Sequence, residues 1–148
     1  MGPVTITLDA NPSANDLRQL LDGVRAFNRA LSGNDCPRSV ACFLRDQEGR
    51  IVGGAQGDLW GRSVHIAAMW VAEEHRGKGH GSALLGTIEA YAASQGYKLS
   101  YLETTSFQAR PFYEKLGYRL FGELQGIDDE CTLYFMRKNL PEPSAADP

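Results

Sequence analysis

The stretch Val71-Ala72-Glu73-Glu74-His75-Arg76-Gly77-Lys78-Gly79-His80-Gly81-Ser82-Ala83-Leu84-Leu85 decides how the rest of the chain is read. A run with strand character, Ser63 to Val71, leads into it, and a run with helical spacing leaves it. Between them Gly77, Gly79 and Gly81 stand at every second position, flanked by Arg76 and Lys78. A glycine turn from strand to helix lets backbone approach a ligand closely. It also aims unpaired N–H groups and the positive end of a helix dipole at that ligand. The guest that suits such a loop is a phosphate, and a pyrophosphate suits it better.

Two nucleotide motifs are excluded. A P-loop ends in Gly-Lys-Ser/Thr, and this loop does not. A dinucleotide fingerprint, G-x-G-x-x-G, follows an N-terminal first strand, whereas these glycines alternate and sit mid-chain. The pattern that fits is [QR]-x-x-G-x-[GA], in Arg76-Gly77-Lys78-Gly79-His80-Gly81. It resembles the pyrophosphate-binding loop of the GNAT superfamily of N-acetyltransferases, enzymes that hold acetyl-coenzyme A. The plain alternative is a glycine-rich surface turn carrying two solvated cations.

Working outward, strict alternation puts Val64, Ile66, Ala68 and Trp70 on one face of the preceding strand and His65, Ala67, Met69 and Val71 on the other. Apolar residues on both faces predict a central strand covered on both sides. Downstream, Leu84, Leu85, Ile88, Tyr91 and Ala92 form a helical stripe that Gly96 ends. Leu99 to Thr104 is the next strand, and strand-loop-helix-strand at this length predicts a right-handed crossover and parallel pairing. In Ser106 to Tyr118, Ser106 is a candidate helix cap and Pro111 fits a first turn. Ala109, Phe112, Tyr113 and Leu116 line one face there, and Gly117 stops the short helix. Tyr118 to Leu124 and Cys131 to Leu140 read as two strands joined by an acidic turn, Gln125 to Glu130.

Upstream, Val40 to Leu44 and Ile51 to Ala55 flank a glycine-containing turn and read as a hairpin, its second strand running on toward Trp60. Val4 to Leu8 alternates and predicts a first strand. A helix capped by Ser13 or Asn15 follows, with Leu17, Leu20, Leu21, Val24, Phe27 and Leu31 on its stripe. It fades at Ser32 to Asp35, and Pro141 to Pro148 is expected to be a disordered tail.

A second motif agrees with the first. Many GNAT enzymes carry N-x-x-A-x-x-x-Y-x-x-x-G-[FY] after the crossover; here Ser106, Ala109, Tyr113, Gly117 and Tyr118 stand at those offsets, with Ser in place of Asn. The resemblance covers Val4 to Leu140. It implies one α/β (α+β) domain over 1–140: a GNAT-like mixed six- or seven-stranded sheet, helices on both faces, two central parallel strands splayed. It implies main-chain contacts from Met69 and Val71 to the pantetheine and thioester, and pyrophosphate on the amides of Arg76, Gly77, Lys78, Gly79, His80, Gly81 and Ser82. Ser106 takes the position of the Asn that helps hold the pantetheine arm. Arg76, Lys78 and Lys115 are candidates for outer phosphates.

The chemistry has its own logic. Acyl transfer from a thioester to an amine needs a positioned thioester, donors for its carbonyl oxygen, a neutral amine and a proton for the leaving thiolate. Tyr113 is the candidate general acid. Glu103 is the candidate base, with His65 and Glu73 as the other titratable residues on or beside the splayed strands and a water chain as the remaining option. The expected activity moves acetyl from acetyl-CoA to a primary amine of a small molecule, releasing coenzyme A. The alternatives are a non-catalytic acyl-CoA-binding or interaction module and a protein lysine or N-terminal acetyltransferase.

Composition narrows the field further. A chain of 148 residues suits one core, and a net charge of -3 provides no basic field for nucleic acid or an anionic membrane. Cys36, Cys42 and Cys131 form no C-x-x-C pair and read as free thiols of a reducing compartment. No apolar run reaches membrane-spanning length and the N-terminus lacks a signal-peptide pattern, so a cytoplasmic protein is expected. His75 and His80 have no metal-ligand spacing, so no metal is expected. A homodimer, common in such folds, is one candidate assembly, and the sequence leaves the oligomeric state open. Asp128, Asp129 and Glu130 either draw a cationic amine toward the cleft or keep a hairpin solvated.

Overall fold

The computed structural model describes residues 1–33, 37–106 and 109–143. The expectations for Asn34, Asp35 and Cys36, and for most of the tail, lie outside them. The chain divides into two compact units, Met1–Cys36 and Pro37–Pro148.

The first unit is one long helix, α1 (Ala14–Ser32). Ser13 caps it, its hydroxyl accepting from the Asp16 N–H at 3.0 Å. Gly33 closes it in the left-handed region at φ 67°, its N–H donating to the Arg29 carbonyl. The expected strand Val4 to Leu8 does not form: residues 1–9 carry neither helix nor strand. Alternation marks a segment suited to a ladder, but an isolated strand has nothing to satisfy its N–H and C=O groups.

The second unit is a six-stranded sheet in the order β1-β2-β3-β4-β6-β5. Its elements are β1 (Arg38–Arg45), β2 (Ile51–Trp60), β3 (Ser63–Val71), α2 (His80–Ser94), β4 (Leu99–Thr105), α3 (Arg110–Lys115), β5 (Arg119–Asp128) and β6 (Cys131–Asn139). Neighbours are antiparallel except β3 and β4, which run parallel. That parallel ladder holds only Ser63↔Leu99, Val64↔Ser100 and His65↔Tyr101. Beyond His65 the two strands part.

Strict alternation along β3 also fails, for a physical reason. Gln56 pairs with Ala68 and Gly57 with Ile66, so Ala67 is an extra residue on the bulged strand. A bulge inverts the facing of everything after it. Met69 and Val71, rather than Ala68 and Trp70, therefore pack with Val64 and Ile66 on the core side. Ala68 and Trp70 face the other way with Phe43 and Gln56, lining a shallow cleft of about 260 Å³.

Helix α2 lies on the core face. Leu84, Leu85, Ile88 and Ala92 meet Ala55, Leu59, Val64 and Ile66 in one cluster. Tyr91 does not join the buried stripe; it stays 39% exposed, with its hydroxyl accepting from Arg38 at 3.3 Å. A carboxylate, Glu89, is buried within the stripe. It accepts from the Tyr118 hydroxyl at 3.2 Å and pairs with Lys138 at 2.9 Å, and Tyr118 in turn bonds Ser100 at 2.7 Å. This network ties α2 to β4 and β6.

Two boundaries differ from expectation. Strand β5 runs on to Asp128 through register irregularities, shrinking the turn to Asp129 and Glu130. Ser106 does not cap α3; Ala109 holds the N-cap position without a side-chain bond. The β4–β6 ladder continues instead, Ser106 N–H donating to the Thr132 carbonyl at 2.8 Å while its hydroxyl accepts from the Thr132 N–H at 3.1 Å.

Gly57 of β2 sits beneath Ile88 of α2. A Cβ there would stand 2.8 Å from a Val64 methyl and 2.9 Å from an Ile88 methyl, both on stiff β-branched side chains. Gly57→Ala is expected to lower stability by about 1–3 kcal/mol through overpacking, measured by chemical denaturation. An unchanged midpoint would show that α2 does not seat this closely.

Candidate active site

The glycine loop begins with a 3-10 turn, Glu73–His75, closed by the Arg76 N–H donating to the Glu73 carbonyl at 3.1 Å. Gly77 and Gly79 then take left-handed angles, φ 73° and 82°, which glycine adopts without penalty. Helix α2 makes its first turn bond from the Ala83 N–H to the Gly79 carbonyl at 3.1 Å, so the amides of His80, Gly81 and Ser82 precede it. Among the described residues, the Gly77, Lys78 and Gly79 amides likewise meet no acceptor. A run of N–H groups from Gly77 to Ser82 therefore stands at the positive end of α2. The Arg76 amide, expected among them, is consumed by the 3-10 turn.

The loop's cations are exposed but donate to the loop's own backbone. Arg76 donates through Nε to the Val71 carbonyl at 2.9 Å, and Lys78 donates through Nζ to the Glu74 carbonyl at 3.3 Å. Both brace the loop's own backbone. Lys115 closes α3 in an exposed position.

Helix α3 comes up against the same loop. The Phe112 ring lies 3.4 Å from the position a Gly81 Cβ would occupy, and the Met69 methyl 4.0 Å from it. The bulged end of β3, the start of α2 and α3 thus meet at one point. Tyr113 is half-buried beside Phe112, and its ring meets Tyr118 edge-on at 5.9 Å. Burial raises the Tyr113 phenol above its ordinary value, so it holds its proton. Tyr118 is pushed up further, chiefly by burial, with the Ser100 bond opposing and the Glu89 charge reinforcing.

On the opposite face of the sheet, His65 and Glu103 are brought together, Nε2 to Oε2, at 2.6 Å. The His65 ring stacks on Tyr101 at 4.8 Å. Asp58 pairs with His65 across β2 and β3, and its carboxylate accepts from Ser39 at 2.6 Å and Gln56 at 3.3 Å. The Tyr101 phenol is raised by burial first, then by Glu103 and Asp58. Glu73 does not join them; it stays in the 3-10 turn. The Ser106 hydroxyl is held at the β5–β6 hairpin, close also to the Glu130 carbonyl at 3.5 Å, which ties the acidic turn to the end of β4. Among the described residues no three His, Cys, Asp or Glu side chains gather where a metal ion would sit. Cys42 and Cys131 are free thiols; Cys42 donates to the Leu84 carbonyl, and burial raises its pKa.

The His65–Glu103 pairing and the Glu89–Lys138 network were not foreseen from sequence. Only Glu89 left a readable signal, a carboxylate one position beyond Ile88 on an apolar stripe.

The profile of the Acetyltransferase (GNAT) family matches residues 14–118. The chain belongs to the GNAT family. Among GNAT relatives, the Blasticidin-S acetyltransferase of Streptomyces morookaense is 31% identical over 137 residues, spanning 91% of this chain and 99% of the relative. A crystal structure of an acetyltransferase from Bacillus cereus is 30% identical at a TM-score of 0.74, covering 90% of this chain and 98% of that one. A candidate streptothricin acetyltransferase of Bacillus anthracis, solved in complex with acetyl coenzyme A, shares the fold at a TM-score of 0.62 and 19% identity, over 72% of this chain and 65% of that one. The GNAT pattern of a mixed sheet whose parallel pair splays is the one seen here between β3 and β4. No helix among the described residues of this GNAT protein is long and apolar enough to cross a membrane.

The raised phenols have a consequence for stability. Unfolded tyrosines ionise near pH ~10 while Tyr113 and Tyr118 in the fold keep their protons, so unfolding releases protons and stability falls as pH rises above ~10. The loss starts at the ordinary tyrosine value and is complete at the raised folded one. Denaturation between about pH 8 and 11 is expected to show a shallower decline in Tyr118→Phe than in the parent chain. Identical slopes would remove Tyr118 from this account.

Proposed function

We propose that this GNAT protein is an N-acetyltransferase moving the acetyl group of acetyl-coenzyme A onto a primary amine of a small molecule by direct attack, with coenzyme A as the other product. The observation that carries the reading is the meeting of unpaired amides, forked strand and tyrosine-bearing helix around Gly81. The residues present fit the donor. A Cβ at Gly77 or Gly79 would meet nothing within 4 Å, so the loop is an open cradle in which backbone N–H groups reach a pyrophosphate. The main chain of Met69 and Val71, on the strand edge that β4 leaves unpaired, would line the pantetheine arm.

The donor supplies an activated acyl group as a thioester. The chain's own groups do the rest. Tyr113 gives a proton to the departing thiolate, and its raised pKa keeps that proton in place at neutral pH. Glu103, with its His65 partner, stands on the face from which an ammonium must lose a proton before it attacks. A small-molecule acceptor is supported by the 31% identical relative named for blasticidin S.

The test is thiol release from acetyl-coenzyme A with a panel of amines; no release with any of them would sink the proposal. Gly79→Val puts a β-branched residue at φ 82° inside the cradle and is expected to weaken coenzyme A binding at least tenfold by calorimetry, with Gly81→Val as a second probe. Unchanged affinity in folded variants would move the pyrophosphate elsewhere. Tyr113→Phe is expected to keep coenzyme affinity and lose about 10²-fold in kcat, the usual scale for general acid catalysis. Full activity without a product burst would exclude the tyrosine.

A further inference from the structure

We infer that His65 is the general base for the acceptor amine and that Glu103 is its positioning residue. The inference rests on the acetyl-transfer reading above and deepens it by assigning the proton's path. His65 is the last residue of β3 paired to β4, opposite Tyr101, so its ring stands at the root of the fork. A carboxylate accepts only, so the 2.6 Å contact with Glu103 requires a proton on Nε2 of the neutral ring. That leaves the Nδ1 lone pair as the acceptor, and among the described residues nothing donates to it. Stacking on Tyr101 at 27° between planes fixes the ring's orientation. This is the arrangement by which a carboxylate sets an imidazole's tautomer and stabilises the imidazolium that forms.

The surroundings agree. Facing His65 are Asp58 from β2, Tyr101 and Glu103 from β4, and, paired with Tyr101 one strand further on, Arg137 from β6. Asp58 and Glu103 together put two carboxylates on this face, which favours an arriving ammonium. In the step assigned, Nδ1 takes one proton from the ammonium. The amine's lone pair forms the C–N bond to the thioester carbonyl carbon, and the C–S bond breaks with its electron pair leaving on sulfur. Tyr113 protonates the thiolate and regains a proton from the nitrogen as it becomes an amide. The proton on His65 passes to solvent, so ammonium and thioester give amide, thiol and one proton.

Three measurements test it on the full chain. Nitrogen NMR of the His65 ring is expected to show the Nε2–H tautomer in the parent protein and a mixture in Glu103→Gln; an Nδ1–H tautomer in the parent overturns the inference without reference to activity. His65→Gln is expected to lower kcat/KM about 10²-fold with an alkylamine at neutral pH while coenzyme A affinity stays the same, the loss shrinking as pH rises. With an acceptor already neutral at that pH, such as a hydrazide, the loss is expected to fall below about tenfold. Glu103→Gln is expected to displace the acid limb of the pH profile, a shift that a purely structural carboxylate would not produce. A parent enzyme active on amines whose His65→Gln variant keeps the same pH profile overturns this inference and leaves the acetyl-transfer reading standing. A parent inactive on every amine overturns both.

Discussion

Strands β3 and β4 are joined by three residue pairs and no more. A full-length ladder here would close the sheet and leave no slot. Two features keep it short. The bulge at Ala67 bends β3 just after its last parallel pair. Each strand also has an antiparallel partner on its other side, β2 for one and β6 for the other, through which its remaining length is held. The backbone edges facing each other across the fork are therefore left for something other than each other, next to a helix whose first amides are also unpaired.

What holds the fork at its width is α2. On the β1–β3 side it is seated by apolar contact, close enough that position 57 admits only a hydrogen. On the β4–β6 side Leu102 and Met136 join the same apolar cluster, and polar contact is added to it, Glu89 to Tyr118 and Lys138. Such an ion pair adds little net stability, because desolvation offsets attraction, while removing one partner is costly. Its contribution is orientation: a carboxylate with two designated partners admits one seating of the helix, where apolar contact alone would admit several.

The core of this architecture was legible in the sequence because glycine chemistry is local. Gly77, Gly79, Gly96 and Gly117 all adopt the positive φ that their placement at turns and helix ends predicts. The parallel neighbours followed from connection length alone. The place of the bulge was not legible in the residues of β3 themselves, since Ala67 is neither glycine nor proline, and a one-residue slip reverses every later side chain. Ser106 fits a cap by spacing, but a ladder extending from β4 to Thr132 claimed it first. The pairing of His65 with Glu103 depends on the register of two strands 38 residues apart, which no local pattern encodes.

The sheet is best viewed as two leaves on a short spine, β1-β2-β3 and β4-β6-β5, each laddered throughout by antiparallel bonds. Beyond the three-pair spine the leaves are bridged by side chains, by the His65–Glu103 contact and by those under α2, so the resistance to spreading comes from them. A change in the angle between the leaves would leave the antiparallel ladders whole and fall on the side chains that bridge them, the polar clasp at Glu89 among them.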